Sequence, residues 1–358
     1  MLALLNNELI KMEYNNKIML MDSKSDIIYY TDKNKTYRRT LMNDIIEIKI
    51  HNNIRKIRYL NENEKINIVN DFYNNVRKLS EKYDFLNENI KNYDYLYKRS
   101  TDLIKIYNEK IPIVPPDQYF SLYIRISYGC PWNKCTFCNL YKKENYNIIN
   151  FSSLKEQVNN LKLYFGDSIK SRKGIFLGDA NAINIKNDIL IKYIKYINDN
   201  FNLPLYAFSD AFTTPFNDND FDLLKNYNMK RIYIGVESGS KEILKILNKK
   251  MDLGIAIKFI NNIKKHNINV GLIFMSGFGN YNHVNDTINF IKNINLGRGD
   301  IVYISPIKEY SGFNKIIMEN NIDNSIEIKN NQFMELREGI SELYNIPAVL
   351  YDVNESLY

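Results

Sequence analysis

The sequence predicts an α/β protein, a partial (β/α)6 barrel of TIM-like design preceded by a smaller N-terminal α+β domain. Three observations carry this prediction. Six apolar, β-branched or aromatic runs, each followed by a helical pattern, begin at residues 121, 173, 204, 231, 269 and 300. Their intervals are 52, 31, 27, 38 and 31 residues, and about thirty residues is the length of a repeated strand-helix unit. The first hundred residues follow a different pattern, and the proline-rich stretch IPIVPPDQ, with Pro112, Pro115 and Pro116, separates the two.

Residues 1 to 60 alternate short apolar and polar stretches such as LIKMEY, KIMLMD and DIIEIKI, the pattern of small antiparallel strands joined by Asn- and Asp-containing turns. Residues 62–110 contain no Gly or Pro and place Ile66, Val69, Phe72 and Val76 at helical spacing, which predicts two helices. The prolines then forbid helix and force an extended entry into the first barrel strand. The expected division is an N-terminal domain over 1–115, the barrel over 116–310 and a helix-and-strand extension over 311–358.

Within the barrel segment, Ser153 with Glu156 forms a capping-box pattern ahead of Leu154, Val158, Leu161 and Phe165. Leu190, Tyr193, Ile194 and Ile197 make a second helical stripe. Both stripes read as core packing. Beyond residue 310 the pattern predicts a helix near 328–343 followed by the strand-like PAVLYDV.

At 45% hydrophobic residues over 358 positions the chain can build a substantial core. The balance of 48 Lys+Arg against 41 Asp+Glu gives +7, spread along the chain and too weak to name nucleic acid as a partner. No run approaches the ~20 apolar residues of a membrane span, and the opening MLALLNNELIKMEY breaks its apolar run too early for a secretory signal. The expectation is a soluble cytoplasmic protein. Three cysteines, an odd and sparse number, point to reduced thiols with a chemical task.

All three cysteines fall within nine residues, Cys130, Cys135 and Cys138 in YGCPWNKCTFC, directly after the first barrel strand. Three thiolates on a loop suit three irons of a [4Fe–4S] cluster and leave the fourth iron open. Structural zinc needs four protein ligands, and the histidines His51, His266 and His283 all lie far from the loop in sequence. In barrels of this type the loops after the strands form the active face. A cluster hung from the first of them sits over the barrel mouth.

Over residues 112–310 the chain resembles the radical SAM superfamily, whose members hold a site-differentiated [4Fe–4S] cluster with three cysteines after the first strand of a partial barrel. The spacing here is C-x4-C-x2-C, with Pro131, Trp132, Asn133 and Lys134 in the longer gap. It is similar to a branch with GCPWNxCTFC-like loops. The resemblance implies that Phe137, ahead of the third cysteine, lies near the adenine of S-adenosylmethionine. Gly178 and Asp179 correspond to a segment that accepts hydrogen bonds from the methionyl amino group.

By the same resemblance Glu237 accepts from the ribose hydroxyls, and Gly277 belongs to a segment whose backbone approaches the adenine. Ser209, Asp210, Ser238 and Ser305 are further cofactor contacts at strand ends. Asp179, Asp210 and Glu237 also favour a positively charged sulfonium. His283, opening the helix after the fifth strand, is a candidate proton donor or substrate contact.

The implied activity is reductive cleavage of S-adenosylmethionine to methionine and a 5′-deoxyadenosyl radical, which abstracts hydrogen from a small-molecule or macromolecular substrate. Flavodoxin or ferredoxin is the implied electron donor, and the cluster is oxygen-sensitive. The absence of a second cysteine group speaks against an auxiliary cluster, and no D-x-H-x-x-G segment suggests cobalamin. Two other readings stay open: an RNA-modifying radical enzyme, and a non-catalytic iron–sulfur or zinc module.

Overall fold

The structure, a computed structural model, describes residues 2–5, 9–51, 54–212 and 216–352. It divides into two compact units, one of residues 1–122 with 155–173, the other of residues 123–154 with 174–356.

The first unit holds a seven-stranded antiparallel meander: β1 (Leu2–Leu5), β2 (Leu9–Tyr14), β3 (Lys17–Asp22), β4 (Ile27–Asp32), β5 (Lys35–Arg39), β6 (Ile45–His51) and β7 (Ile54–Tyr59), paired in sequence order. Asn15 and Asn16, at positive φ, supply the tight turn between β2 and β3. Helix α1 (Glu62–Ser80) begins with a capping box, the Asn61 side chain accepting from the Glu64 amide and the Glu64 side chain from the Asn61 amide. It buries Val69, Phe72 and Val76, three of the four residues of the expected stripe. Helix α2 (Tyr93–Tyr107) is capped by Asn92. Met12, Met19, Met21, Tyr30 and Leu86 complete the core with the helix residues.

The second unit begins with β8 (Leu122–Arg125), followed by the short pair β9 (Ser127–Tyr128) and β10 (Asn147–Ile148) that frames the cysteine loop. Helix α3 (Phe151–Phe165) follows, and from residue 155 on it belongs to the first unit. Its first turn is capped by Asn150, whose Oδ1 accepts from the Ser153 amide at 2.9 Å, so the expected Ser153–Glu156 box lies one turn inside the helix. An asparagine side chain earlier in the chain captured the amide first.

The alternation continues through β11 (Ile175–Gly178), α4 (Asn187–Phe201), β12 (Leu205–Ser209), α5 (Asp218–Asn226), β13 (Met229–Glu237), α6 (Lys241–Ile246) and α7 (Leu253–Lys265). It ends with β14 (Asn269–Ser276), α8 (His283–Ile291), β15 (Ile301–Pro306), α9 (Ser311–Glu319), α10 (Ile326–Leu343) and β16 (Ala348–Leu350). The sheet runs β16-β15-β14-β13-β12-β11-β8, in chain order and open between β16 and β8. All six expected strands are present.

The strand expected after residue 310 joins the six barrel strands as a seventh member of the sheet. β16 pairs parallel to β15, with Val302 opposite Ala348 and Ile304 opposite Leu350. The strand lies within the expected PAVLYDV run; its parallel pairing to β15, which places it in the barrel sheet, is the part that the sequence does not display.

Side chains separate by parity onto the two faces of this sheet. Leu122, Ile124, Ile175, Leu177, Ile232, Ile234 and Leu272 are buried aliphatics on one face. The other carries a chain of buried rings, Tyr123, Phe176, Tyr233, Tyr303 and Tyr351, with neighbouring centroids 5.3–6.5 Å apart. One step further along the strands on that face come Arg125, Gly178 and Gly235, where side chains shrink or turn polar. The candidate site lies at this end.

Candidate active site

The cysteine loop leaves β9 through Gly129, at φ +69, and holds its shape through its own polar groups. Asn133, also at positive φ, donates from Nδ2 to the Tyr141 carbonyl at 2.5 Å and receives on its own carbonyl the Lys142 ammonium at 3.0 Å. Lys142 also bonds the Cys135 carbonyl at 2.9 Å. The Asn133 amide points at Cys130 Sγ, 3.4 Å away.

A second set of bonds ties the loop to the end of α6. Trp132 Nε1 donates to the Asn248 carbonyl at 2.9 Å, Asn248 Nδ2 to the Lys134 carbonyl at 2.9 Å, and the Thr136 amide to the Leu247 carbonyl at 2.9 Å. Tyr310 OH bonds the Thr136 carbonyl. Phe137 packs against an apolar cluster that includes Leu247, Met275, Phe278 and Ile307.

Cys130, Cys135 and Cys138 are free and half-buried. Burial pushes the Cys135 thiol up to about 11; Lys249 opposes this, while Glu237, Cys138 and Cys130 add to it. Cys138 is raised for the same first reason, with a hydrogen bond at the Leu140 backbone pulling the other way. Three thiols within electrostatic reach of one another, with Cys135 and Cys138 resisting ionisation, are stabilised as thiolates by a bound cation.

The donor set therefore fits a soft-metal cluster that takes three sulfurs. A second observation agrees: Tyr141 is buried, and its hydroxyl has no hydrogen-bond partner among the described residues. Asp179, Tyr123, Cys138 and Cys130 all bear electrostatically on that hydroxyl. A buried orphan donor beside the ligand loop suits an acceptor that arrives with the cluster.

Sequence reasoning missed Lys249. Its Nζ lies 3.1 Å from Glu237 Oε1, with the side chains 12% and 10% exposed. Burial pulls its pKa down, but Glu237, Cys135 and Asp210 outweigh this and hold it above the ordinary lysine value. Glu237 itself takes φ +70 at the end of β13, where the register to β14 shifts. This backbone turn folds the carboxylate back over Gly235. The structure thus brings Cys135, Glu237, Asp210 and Lys249 into one electrostatic group. In LNKKM nothing distinguishes Lys249 from its exposed neighbour Lys250.

The other expected contacts are placed as follows. Asp179 is buried and its carboxylate accepts from Tyr123 OH and from the Gly129 amide at 3.2 Å, with Arg125 Nε 3.3 Å away. It therefore links β8, β11 and the start of the cysteine loop. Gly178 is required beside it, because a Cβ there would lie 1.9 Å from the Tyr123 hydroxyl. Asp210 forms a reciprocal pair with Asn181: its carboxylate accepts from Asn181 Nδ2 and its amide donates to Asn181 Oδ1 at 2.9 Å. Ser209 Oγ donates to the Asp210 carbonyl at 3.0 Å. Ser305 is buried opposite Met275 in the β14–β15 ladder.

Gly277, at φ +112, requires glycine, and its amide and that of Phe278 both donate to Gln332 Oε1 at 2.8 Å. Gln332 Nε2 in turn donates to the Phe278 carbonyl at 3.0 Å. This clamp from α10 was not legible in the sequence.

His283, expected as a candidate proton donor or substrate contact, lies inside the fold. It is fully buried, Nε2 donates to the Met275 carbonyl at 2.7 Å and Nδ1 accepts from Ser238 Oγ at 2.9 Å. Burial pulls its pKa down to about 4, so the ring is neutral and both nitrogens are engaged. Ser238, expected as a cofactor contact, is spent on this bond and on the Ser240 amide at 3.0 Å.

Residues 124–291 match the family model described as the radical SAM superfamily. Among solved structures the chain is similar to a spore photoproduct lyase variant with a dinucleoside spore photoproduct: TM-score 0.50 and 10% identity, covering 68% of this chain and 79% of that one. It is also similar to methylornithine synthase, with TM-score 0.47 and 14% identity over 77% and 74%. A third is the radical S-adenosylmethionine methyltransferase from Kitasatospora setae, with TM-score 0.42 and 13% identity over 56% and 39%. The chain thus spans about two fifths of that methyltransferase's length. No curated protein matches. These identities speak to the fold alone.

Proposed function

We propose, for a chain that carries a radical SAM domain over residues 124–291, that Cys130, Cys135 and Cys138 hold three irons of a [4Fe–4S] cluster whose fourth iron takes S-adenosylmethionine. The observation that supports this best is the trio of free thiols on one pinned loop beside a buried cation. When bound and reduced, the cluster and S-adenosylmethionine supply a one-electron cleavage to methionine and a 5′-deoxyadenosyl radical that takes hydrogen from the substrate.

The chain's own residues do the rest. Lys249 offsets thiolate charge, and Glu237, held by Lys249, offers a carboxylate oxygen to the ribose hydroxyls. Asp210 adds negative charge near a sulfonium. Phe137 presents a ring near the adenine, fixed by the apolar cluster behind it. The aromatic floor of Tyr123, Phe176, Tyr233 and Tyr303 closes the sheet face below the site and excludes water from the reacting centre.

The electron comes from flavodoxin or ferredoxin, whose acidic surfaces suit the exposed Lys134 and Lys142 on the cysteine loop. The reduced cluster is oxygen-sensitive, and a reducing cytoplasm suits three free thiols. Anaerobic reconstitution with iron and sulfide, reduction with dithionite and addition of S-adenosylmethionine tests the reading. It predicts 5′-deoxyadenosine by chromatography; a fully loaded, reduced chain that yields none would refute it.

A further inference from the structure

Far from the cysteines in sequence, the N-terminal unit concentrates buried charge that the proposed chemistry does not use. Asp22 at the end of β3 and Asp26 just after it face Arg39 at the end of β5, Arg99 of α2, and Arg172. Most of this network is well bonded. Arg99 donates to Asp26 Oδ2 from Nε at 3.0 Å and from Nη2 at 2.5 Å, and Arg39 donates to Asn43 Oδ1 and the Leu96 carbonyl.

Four atoms are not satisfied. Asp22 Oδ2, Asp26 Oδ1 and Arg172 Nε are buried with no hydrogen-bond partner among the described residues, as is Ser23 Oγ next to Asp22. The guanidiniums facing the two unbonded oxygens stand off, Arg172 Nη2 at 3.8 Å from Asp22 Oδ2 and Arg39 Nη1 at 3.5 Å from Asp26 Oδ1. Asp22 and Arg172 are only 1% and 8% exposed at their side chains. Asp22, Asp26 and Arg172 line one cleft, together with Arg38, Tyr119 and Phe120.

Orphaned polar atoms of this burial cost about 1–3 kcal/mol each, more when charged. Their gathering in a single cleft calls for a ligand that satisfies both signs at once. A bare cation meets three guanidiniums, and a bare oxyanion meets two carboxylates, so each is opposed. A small zwitterion with its two charges a carbon apart meets neither objection.

We infer that this cleft binds a free α-amino acid, its ammonium between Asp22 Oδ2 and Asp26 Oδ1 and its carboxylate on Arg172 Nε. The Arg172 guanidinium is held for this by the Phe165 ring, 4.5 Å from its centroid. Arg38, over the Tyr119 and Phe120 rings at 5.1 and 5.0 Å, adds positive charge on the carboxylate side. The inference is independent of the cluster.

Calorimetry on the full, metal-free chain tests it with each of the twenty L-α-amino acids in turn, and with the matching amine and carboxylic acid of any that binds. At least one amino acid is expected to bind one to one, with affinity reduced about tenfold or more in Asp22→Asn and Arg172→Gln and for either half-ligand. No binding by any of the twenty overturns the inference, as do half-ligands that bind as well as the zwitterion. Should Asp22→Asn fail to fold, because Asp22 Oδ1 accepts from the Lys24 and Asp26 amides, Arg172→Gln decides alone. A folded Arg172→Gln chain with unchanged affinity sinks the site.

Discussion

The Asp179 carboxylate, at the end of β11, accepts a hydrogen bond from the Gly129 amide at 3.2 Å, one residue before the first cysteine. Tyr123 and Arg125 of β8 hold the same carboxylate. The start of the ligand loop is thereby fixed by a buried acid from the neighbouring strand. Replacing Asp179 by alanine removes the carboxylate from a fully buried guanidinium, and breaking such a pair costs about 3–5 kcal/mol. Urea unfolding of the metal-free chain should show a loss of that order, with Asp179→Asn losing less; equal stability of Asp179→Ala and the parent chain would dismiss the brace.

Each of Cys130→Ala, Cys135→Ala and Cys138→Ala is expected to abolish cluster loading, read as iron and sulfide bound after reconstitution. Glu237→Gln should leave loading intact and weaken S-adenosylmethionine binding about tenfold, the loss of one charged hydrogen bond of about 1.4 kcal/mol. Equilibrium dialysis gives the affinity. An unchanged affinity rules out the ribose assignment and leaves the cluster assignment standing.

Tyr141→Phe removes an orphan hydroxyl and should stabilise the metal-free chain by about 1 kcal/mol. In the loaded chain the same change should move the cluster's midpoint potential, because a hydrogen bond to the cluster is lost. Identical potentials for the two chains would show that the hydroxyl does not reach it.

His283 gives a pH signature. Its folded pKa, about 4, lies below the ordinary value of 6.5, so between those values the unfolded chain binds a proton that the folded chain refuses. Its contribution is complete above pH 6.5 and is lost on acidification towards pH 4, about 3 kcal/mol in all. His283→Gln should flatten that part of the stability curve measured by urea unfolding; a parallel curve for the variant would mean that other groups set the slope.

Gln332→Leu leaves the Gly277 and Phe278 amides without their acceptor and the Phe278 carbonyl without its donor. The expected loss is about 2 kcal/mol or more, with faster amide exchange at Gly277 and Phe278. Unchanged exchange at both would show that the clamp does not protect them.

The sequence by itself determined the repeated strand-helix order, the two patterns either side of Pro112–Pro116, and the three cysteines after the first strand. These are local properties: periodicity follows from side-chain geometry along one element, and thiols within nine residues of chain share a loop in any fold. Only the tertiary structure decided what each polar residue at the strand ends does. Asp179, Ser238 and His283 look from the sequence like mouth residues, yet their bonds to Gly129, Ser240 and Met275 turn them inward. Lys249 and Gln332, unmarked in the sequence, become a buried counter-charge and a backbone clamp. The physical reason is that a charge or hydrogen bond takes its worth from burial and from partners as many as 174 residues away, and neither is written in a residue's neighbours along the chain.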